Sequence, residues 1–184
     1  IKEANQLLAM PFSLSGEVIH GEKRGRRLGY PTANIEIYKS YPINGIFLVN
    51  ILFEDKKLFG LASWGNKPTF SGLDHVLEVN ILDFESDIYG KQLKVIFIDK
   101  IRDQIKFDNQ DELIEQMNKD KKTAEILLKD LYEELIEKYN LKERVKIFSW
   151  TDDISAFLNS ASILICPSRH EPFGNIIIDG WAHK

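Results

Sequence analysis

From Phe12 to Ile101 apolar and polar positions alternate in short runs broken by turn residues. FSLSGEVIH, IFLVNILF, LFGLASW, VLEVNIL and KQLKVIFIDKI are each of strand length and rich in β-branched or aromatic side chains. Gly, Pro, Asn and Asp separate them, as in INGI, NKPTFSGLD and FESDIYGK. Five or more strands with no helix between them predict an antiparallel barrel or sandwich. Side chains alternate along a strand, so within VLEVNIL the residues Leu77, Val79 and Ile81 share the core face. Val76, Glu78, Asn80 and Leu82 share the other.

After Phe107 the period changes. Asp108 stands where a helix N-cap belongs, and Asp111 and Glu112 put negative charge in the first turn. Leu113, Ile114 and Met117 then recur at helical spacing. A second helical run follows through Ala124, Leu127, Leu128, Leu131, Leu135 and Tyr139, with no Gly or Pro between the two. From Val145 the grammar changes again. VKIFSW reads as a strand, DDISAFLNSA as an amphipathic helix, SILIC as a buried strand and IIIDGWAHK as a further helix. Strand–helix–strand–helix belongs to a parallel α/β sheet. The expected organisation is therefore mainly β over residues 1–125 with a closing helix, then a truncated α/β Rossmann-like piece over 126–184.

Composition adds constraints. The chain has 184 residues, 43% of them hydrophobic and 28% charged, the balance of a folded globular protein. Acidic residues outnumber basic ones on both sides of residue 125, and the net charge is −4, which excludes a general nucleic-acid binder. Cys166 is the one cysteine, so there is no internal disulfide framework, and a reducing compartment is expected. No apolar run is long enough to span a membrane. The start, IKEANQLLAMPF, has neither an initiator Met nor a signal-peptide core, and predicts a segment of a longer cytoplasmic protein.

On this acidic body GEKRGRRLGYPTAN is a local positive patch. Lys23, Arg24, Arg26 and Arg27 supply charge, and Gly21, Gly25 and Gly29 would let backbone N–H groups approach phosphates. Pro31 fixes its own φ and biases Tyr30 toward extended backbone. If the segment then runs extended, Thr32 and Asn34 project to one face. Two neutral oxygens suit Mg²⁺ when nucleotide phosphates complete its shell. The stretch lacks G-x-x-x-x-G-K-[ST] and is not a P-loop. The residues alone support equally a basic hairpin followed by an edge strand. Glu78 is in the same position: a carboxylate on the outer face of a strand is most often simply solvated. It gains chemistry only if the loop at 21–34 folds over that face, where it could accept a proton from an attacking hydroxyl.

Residues from about Pro11 to Ala124 resemble the riboflavin kinase (flavokinase) module of bacterial bifunctional riboflavin kinase/FAD synthetases. GEKRGRRLGYPTAN, GIFLV, GLASWGNKPTF, LEVNILDFESDIYG and IRDQIKFDNQDELIEQMNKDKKTA carry the likeness, in the family's order. The resemblance implies a six-stranded Greek-key barrel that transfers the γ-phosphoryl group of ATP to the 5′-hydroxyl of riboflavin, giving FMN. It assigns Thr32 and Asn34 to Mg²⁺ and ATP, Glu78 to the catalytic base, and Gly21, Arg26 and Tyr89 to ATP. Arg102 and Phe107 fall to the flavin, a cation and a ring able to grip a flat ligand. Ile105 stands where family members carry a Lys or a polar residue. FAD synthesis would need a nucleotidyltransferase domain ahead of residue 1 and is not expected of these residues.

Residues from about Leu131 to Lys184 resemble part of the nucleotide-sugar domain of a GT-B-type (group 1) glycosyltransferase. Glu171 in E-P-F-G matches the family's first carboxylate, and Asp179 stands where its second Glu belongs. The segment covers about two βα units and has no acceptor domain, too little for a core of its own, so glycosyl transfer is not expected. His170 has no second ligand at useful spacing, and Cys166 ends an apolar strand as a small core residue. The expectation is thus a riboflavin kinase with small-molecule substrates and no nucleic-acid or membrane partner. The alternatives are a glycosyltransferase fragment and a non-catalytic flavin- or nucleotide-binding module.

Overall fold

The structure, a computed structural model, describes residues 1–21, 25, 29–65, 76–84, 86–148 and 154–163. The chain divides into two units, Ile1–Leu131 and Tyr132–Lys184. In the first, a short helix α1 (Lys2–Leu7) precedes β1 (Ser13–Ile19), β2 (Ala33–Glu36), β3 (Gly45–Phe53), β4 (Lys56–Trp64), β5 (Val76–Ile81) and β6 (Gln92–Arg102). Helix α2 (Gln110–Lys138) follows, and α3 (Ser155–Ser160) lies in the second unit.

Among the described residues the six strands close into a barrel in the order β1-β2-β5-β4-β3-β6, every pairing antiparallel. β3, β4 and β5 form a meander, and β2 returns beside β5 rather than β3, which is the Greek-key connection. Closure leaves no edge strand, so the bland reading of PTAN as the start of an edge strand is corrected: β2 is paired on both sides, by β1 and by β5.

The inside of the barrel is filled from alternate positions. Leu77, Val79 and Ile81 of β5 point inward as their spacing requires, beside Phe47, Val49 and Ile51 of β3 and Val95 and Phe97 of β6. Phe97 meets Phe47 and Phe12 edge-on or tilted, with ring centroids 5.2 Å apart in both pairs. A second cluster lies outside the wall, where Leu48 and Leu61 face Ala124, Leu127 and Leu128 of α2. Residues of β3 and β4 that point out of the barrel are thus apolar because a helix covers them.

The two helical runs form one continuous helix, as expected where no Gly or Pro intervenes. Its cap is Asn109 and not Asp108. The Asn109 side-chain oxygen accepts from the Glu112 N–H at 2.9 Å, while the Glu112 carboxylate accepts from the Asp108 N–H at 3.2 Å and from the Asn109 side-chain amide at 2.9 Å. The helix ends where Asn140 turns left-handed (φ 59°). Leu141 N–H then bonds to the Ile136 carbonyl and Asn140 N–H to that of Glu137, the paired bonds of a Schellman end. α2 is fixed to the barrel by Asp120, which is 4% exposed. It accepts from Arg102 Nε at 2.8 Å and Nη2 at 2.7 Å, and from Gln116 at 2.9 Å.

In the second unit the described residues are the end of α2, the turn after it and α3, with Phe148 and Phe157 in contact at 4.6 Å. Val145–Phe148, expected to open a strand, carry no strand pairing. SILIC, the strand expected to pair with them, lies outside the described residues except for Ser162 and Ile163. Cys166, His170, Glu171 and Asp179 also lie outside them. Asp120→Ala leaves a nearly buried guanidinium without its carboxylate. It should lower stability in urea unfolding by about 3 kcal/mol. A loss under about 1 kcal/mol would mean that the pair contributes no more than a surface ion pair.

Candidate functional site

β2 is short, and its register on β5 sets the site. Asn34 is paired with Glu78, and Ala33 with Val79. Paired residues project to the same face, so the Asn34 amide and the Glu78 carboxylate stand side by side on the outer wall. On its other flank Glu78 is paired with Ser63 of β4. The row Asn34–Glu78–Ser63 therefore crosses three strands, about 10 Å at the usual strand spacing. Gln104, just past β6, extends it by donating to Ser63 Oγ at 3.0 Å.

Two glycines of the loop that would have to cover Glu78 lie against residues next to it. A Cβ at Gly21 would collide with the Asn34 amide, and one at Gly25 would collide with the Tyr30 carbonyl and lie 3.2 Å from Thr32 Oγ1. At Gly25 the obstacle is backbone, so a side chain there has no room, whereas at Gly21 the Asn34 amide would have to move aside. The Tyr30 N–H donates to the Gly25 carbonyl at 2.9 Å and closes the loop. Gly21, Gly25, Thr32 and Asn34 are thus brought together beside Glu78. Arg26, with Lys23, Arg24 and Arg27, lies outside the described residues.

Thr32 also lines a small cleft of about 60 Å³ with Pro31, Phe84, Asp87 and Tyr89. The Tyr89 ring stacks on His20 at 3.9 Å between centroids. Its lining mixes polar and apolar side chains. Arg102 and Phe107 are neighbours, with the guanidinium carbon 5.9 Å from the ring centroid. The Arg102 N–H edge, however, is engaged by Asp120 and by the Asp103 carbonyl. Its guanidinium face beside Phe107 is left for a ligand.

Ser63, Asn80, Gln104 and Asn118 enter the site without having been singled out in the sequence. Asn80 lies on the same strand face as Glu78, but its burial depends on β2 lying against it. Ser63 and Gln104 depend on strand register, which no local pattern carries. Among the described residues no three His, Cys, Asp or Glu side chains converge to hold a metal, and no helix is long and apolar enough to cross a membrane.

A model of the Flavokinase family, described as riboflavin kinase, matches residues 8–128. A model of glycosyl transferases group 1 matches residues 79–182. The bifunctional riboflavin kinase/FMN adenylyltransferase of Haemophilus influenzae is 43% identical over 123 residues, 66% of this chain and 40% of that one. That of Bacillus subtilis is 39% identical over 129 residues, 67% and 41% respectively. A crystal structure described as a macrolide-efflux protein from Streptococcus pneumoniae superposes with a TM-score of 0.63 at 40% identity, covering 68% of this chain and 42% of that one. The chain spans about two fifths of the length of the curated relatives it matches.

The glycine contacts give a structural prediction. Gly21→Ala should displace the Asn34 side-chain amide, seen as a moved or broadened NH₂ pair in ¹⁵N NMR spectra. Gly29→Asn, which tolerates the left-handed φ of 80° there and whose Cβ meets nothing within 4 Å, should leave that pair in place. An unmoved pair in the Gly21 variant would mean that the loop does not rest on Asn34.

Proposed function

Given that the chain belongs to the riboflavin kinase family, we propose that it transfers the γ-phosphoryl group of ATP to the 5′-hydroxyl of riboflavin. The observation that carries this reading is the pairing of Glu78 with Asn34 beneath Gly21 and Gly25. Phosphoryl transfer needs positioning and charge stabilisation rather than covalent help from the protein. The loop's sequence offers glycine N–H groups and cations, and β5 carries the Glu78 carboxylate paired with Asn34.

In the proposed reaction the nucleotide phosphates lie under the glycine loop, against Thr32 and Asn34. The base and ribose extend toward Tyr89 and His20, and the flavin approaches from the Ser63, Gln104 and Phe107 side. Glu78 lies between the two. It accepts the proton of the 5′-hydroxyl as that oxygen bonds to the γ-phosphorus. The bond from the γ-phosphorus to the bridging oxygen breaks, and ADP keeps the electron pair. The proton on Glu78 then passes to solvent, and FMN and ADP are released.

The residues fit Mg²⁺ brought in with the nucleotide. The Thr32 hydroxyl and the Asn34 carboxamide are neutral oxygen donors, and the cradle over them would be filled by a Cβ at Gly21 or Gly25. When bound, the ion would supply positive charge shared across the phosphate oxygens. Thr32 and Asn34 would orient it from the protein side, and Arg26 is assigned to the phosphates on family resemblance.

The test is chromatographic. The chain incubated with riboflavin, ATP and Mg²⁺ should produce FMN. Glu78→Gln should lower kcat by about 10²–10⁴-fold with little change in either KM, the usual contribution of a positioned general base. A folded chain that forms no FMN would sink the reading. Full activity in the glutamine variant would remove Glu78 from the base role.

A further inference from the structure

Asn80 is a buried amide in the barrel wall, 8% exposed, two residues beyond Glu78 on β5. Continuing the β2–β5 register by one step from the Ala33–Val79 pair sets Asn80 across from Thr32. The backbone ladder has to stop there, because Pro31 has no N–H to give. The Asn80 side chain takes over. Its Nδ2 donates to the Pro31 carbonyl at 2.8 Å. The buried Asn80 amide, costly to leave unpaired, is satisfied by it. The preceding residue is held from a different element: the Tyr30 hydroxyl donates to Asn118 Oδ1 on α2 at 2.5 Å. The Tyr30–Pro31 unit is therefore fastened from β5 and from α2, immediately ahead of Thr32.

We infer that Asn80 is a positioning residue for the phosphate side of the site, acting through Pro31 on Thr32. The inference rests on the nucleotide reading given above and deepens it, since Asn80 sets nucleotide affinity without touching the nucleotide. The physical argument is one of adjacency. Thr32 follows Pro31 directly, so any rotation of the Pro31 peptide swings the Thr32 hydroxyl away from Gly25 and Asn34. The Asn80–Pro31–Thr32 link does not run through α2, and with the Tyr30–Asn118 bond kept the flavin side should be insensitive to it.

The experiment compares the full chain with Asn80→Leu, which keeps most of the volume and removes the donor. Asn80→Ser, too short to reach the Pro31 carbonyl and able to be satisfied by water, is measured alongside in case the leucine variant fails to fold. Calorimetry with Mg²⁺–ADP should show Kd raised about tenfold in both, the size of one lost hydrogen bond. The KM for Mg²⁺–ATP should rise in step, while the KM for riboflavin stays within about twofold. Parent-like Mg²⁺–ADP affinity in a folded variant would overturn the inference. So would a loss of kcat with both KM values unchanged, which is what a merely structural role predicts. A parent that binds no Mg²⁺–ADP would overturn both this inference and the kinase reading. A parent that binds Mg²⁺–ADP with the tenfold effect but forms no FMN would overturn the kinase reading alone.

Discussion

The site depends on one register: Asn34 of β2 opposite Glu78 of β5. A slip of a single residue would turn Asn34 and Thr32 into the core and bring Ala33 and Ile35 out to the wall. Such a slip is blocked from within, because Ile35 is fully buried beside Leu77 and Val79. The hydrophobic core thus specifies the alignment of the polar face. Barrel closure adds to this by pairing β2 on its other side with β1. A strand of four residues could not hold its register alone; here two neighbours and a buried isoleucine hold it.

The second constraint is the helix α2. It covers the outward apolar residues of β3 and β4 through Ala124, and two of its polar side chains reach elements that carry the site. Asn118 holds Tyr30 at the end of the glycine loop. Asp120, with Gln116 beside it, holds Arg102 at the end of β6. A buried bidentate pair of this kind is weak evidence for net stability, because desolvation offsets much of the attraction. Its value here is directional: it fixes where the helix docks, and so where Asn118 and Phe107 stand. Packing and placement are joined in one element.

Much of this was legible in the sequence, for identifiable reasons. Leu77, Val79 and Ile81 announced their inward face by simple alternation, and the helix after residue 109 announced itself by its period. The glycine loop with PTAN was recognisable as one chemical unit because its residues are contiguous. What stayed hidden was long-range. Asn80, Ser63 and Gln104 matter through partners across strand pairings that no local pattern encodes. The cap was misplaced by one residue because Asp108 and Asn109 are both good caps, and only the Glu112 contact separates them. β2 looked like an edge because its second neighbour, β5, arrives some 40 residues later in the sequence. For the α/β-like segment the local grammar predicted strands, but a strand needs a neighbour, and Val145–Phe148 have none among the described residues.

The central claim is that one face of the barrel, covered by the glycine loop, is where the nucleotide binds. The most direct measurement is a titration of the ¹⁵N-labelled chain with Mg²⁺–ADP, followed through its backbone amides by NMR. The account predicts that the largest shifts fall together on Gly21, Gly25, Thr32, Asn34 and Glu78, with β3 and β6, across the barrel from β2 and β5, little changed. Saturable binding that moves other amides and leaves these five in place would contradict it.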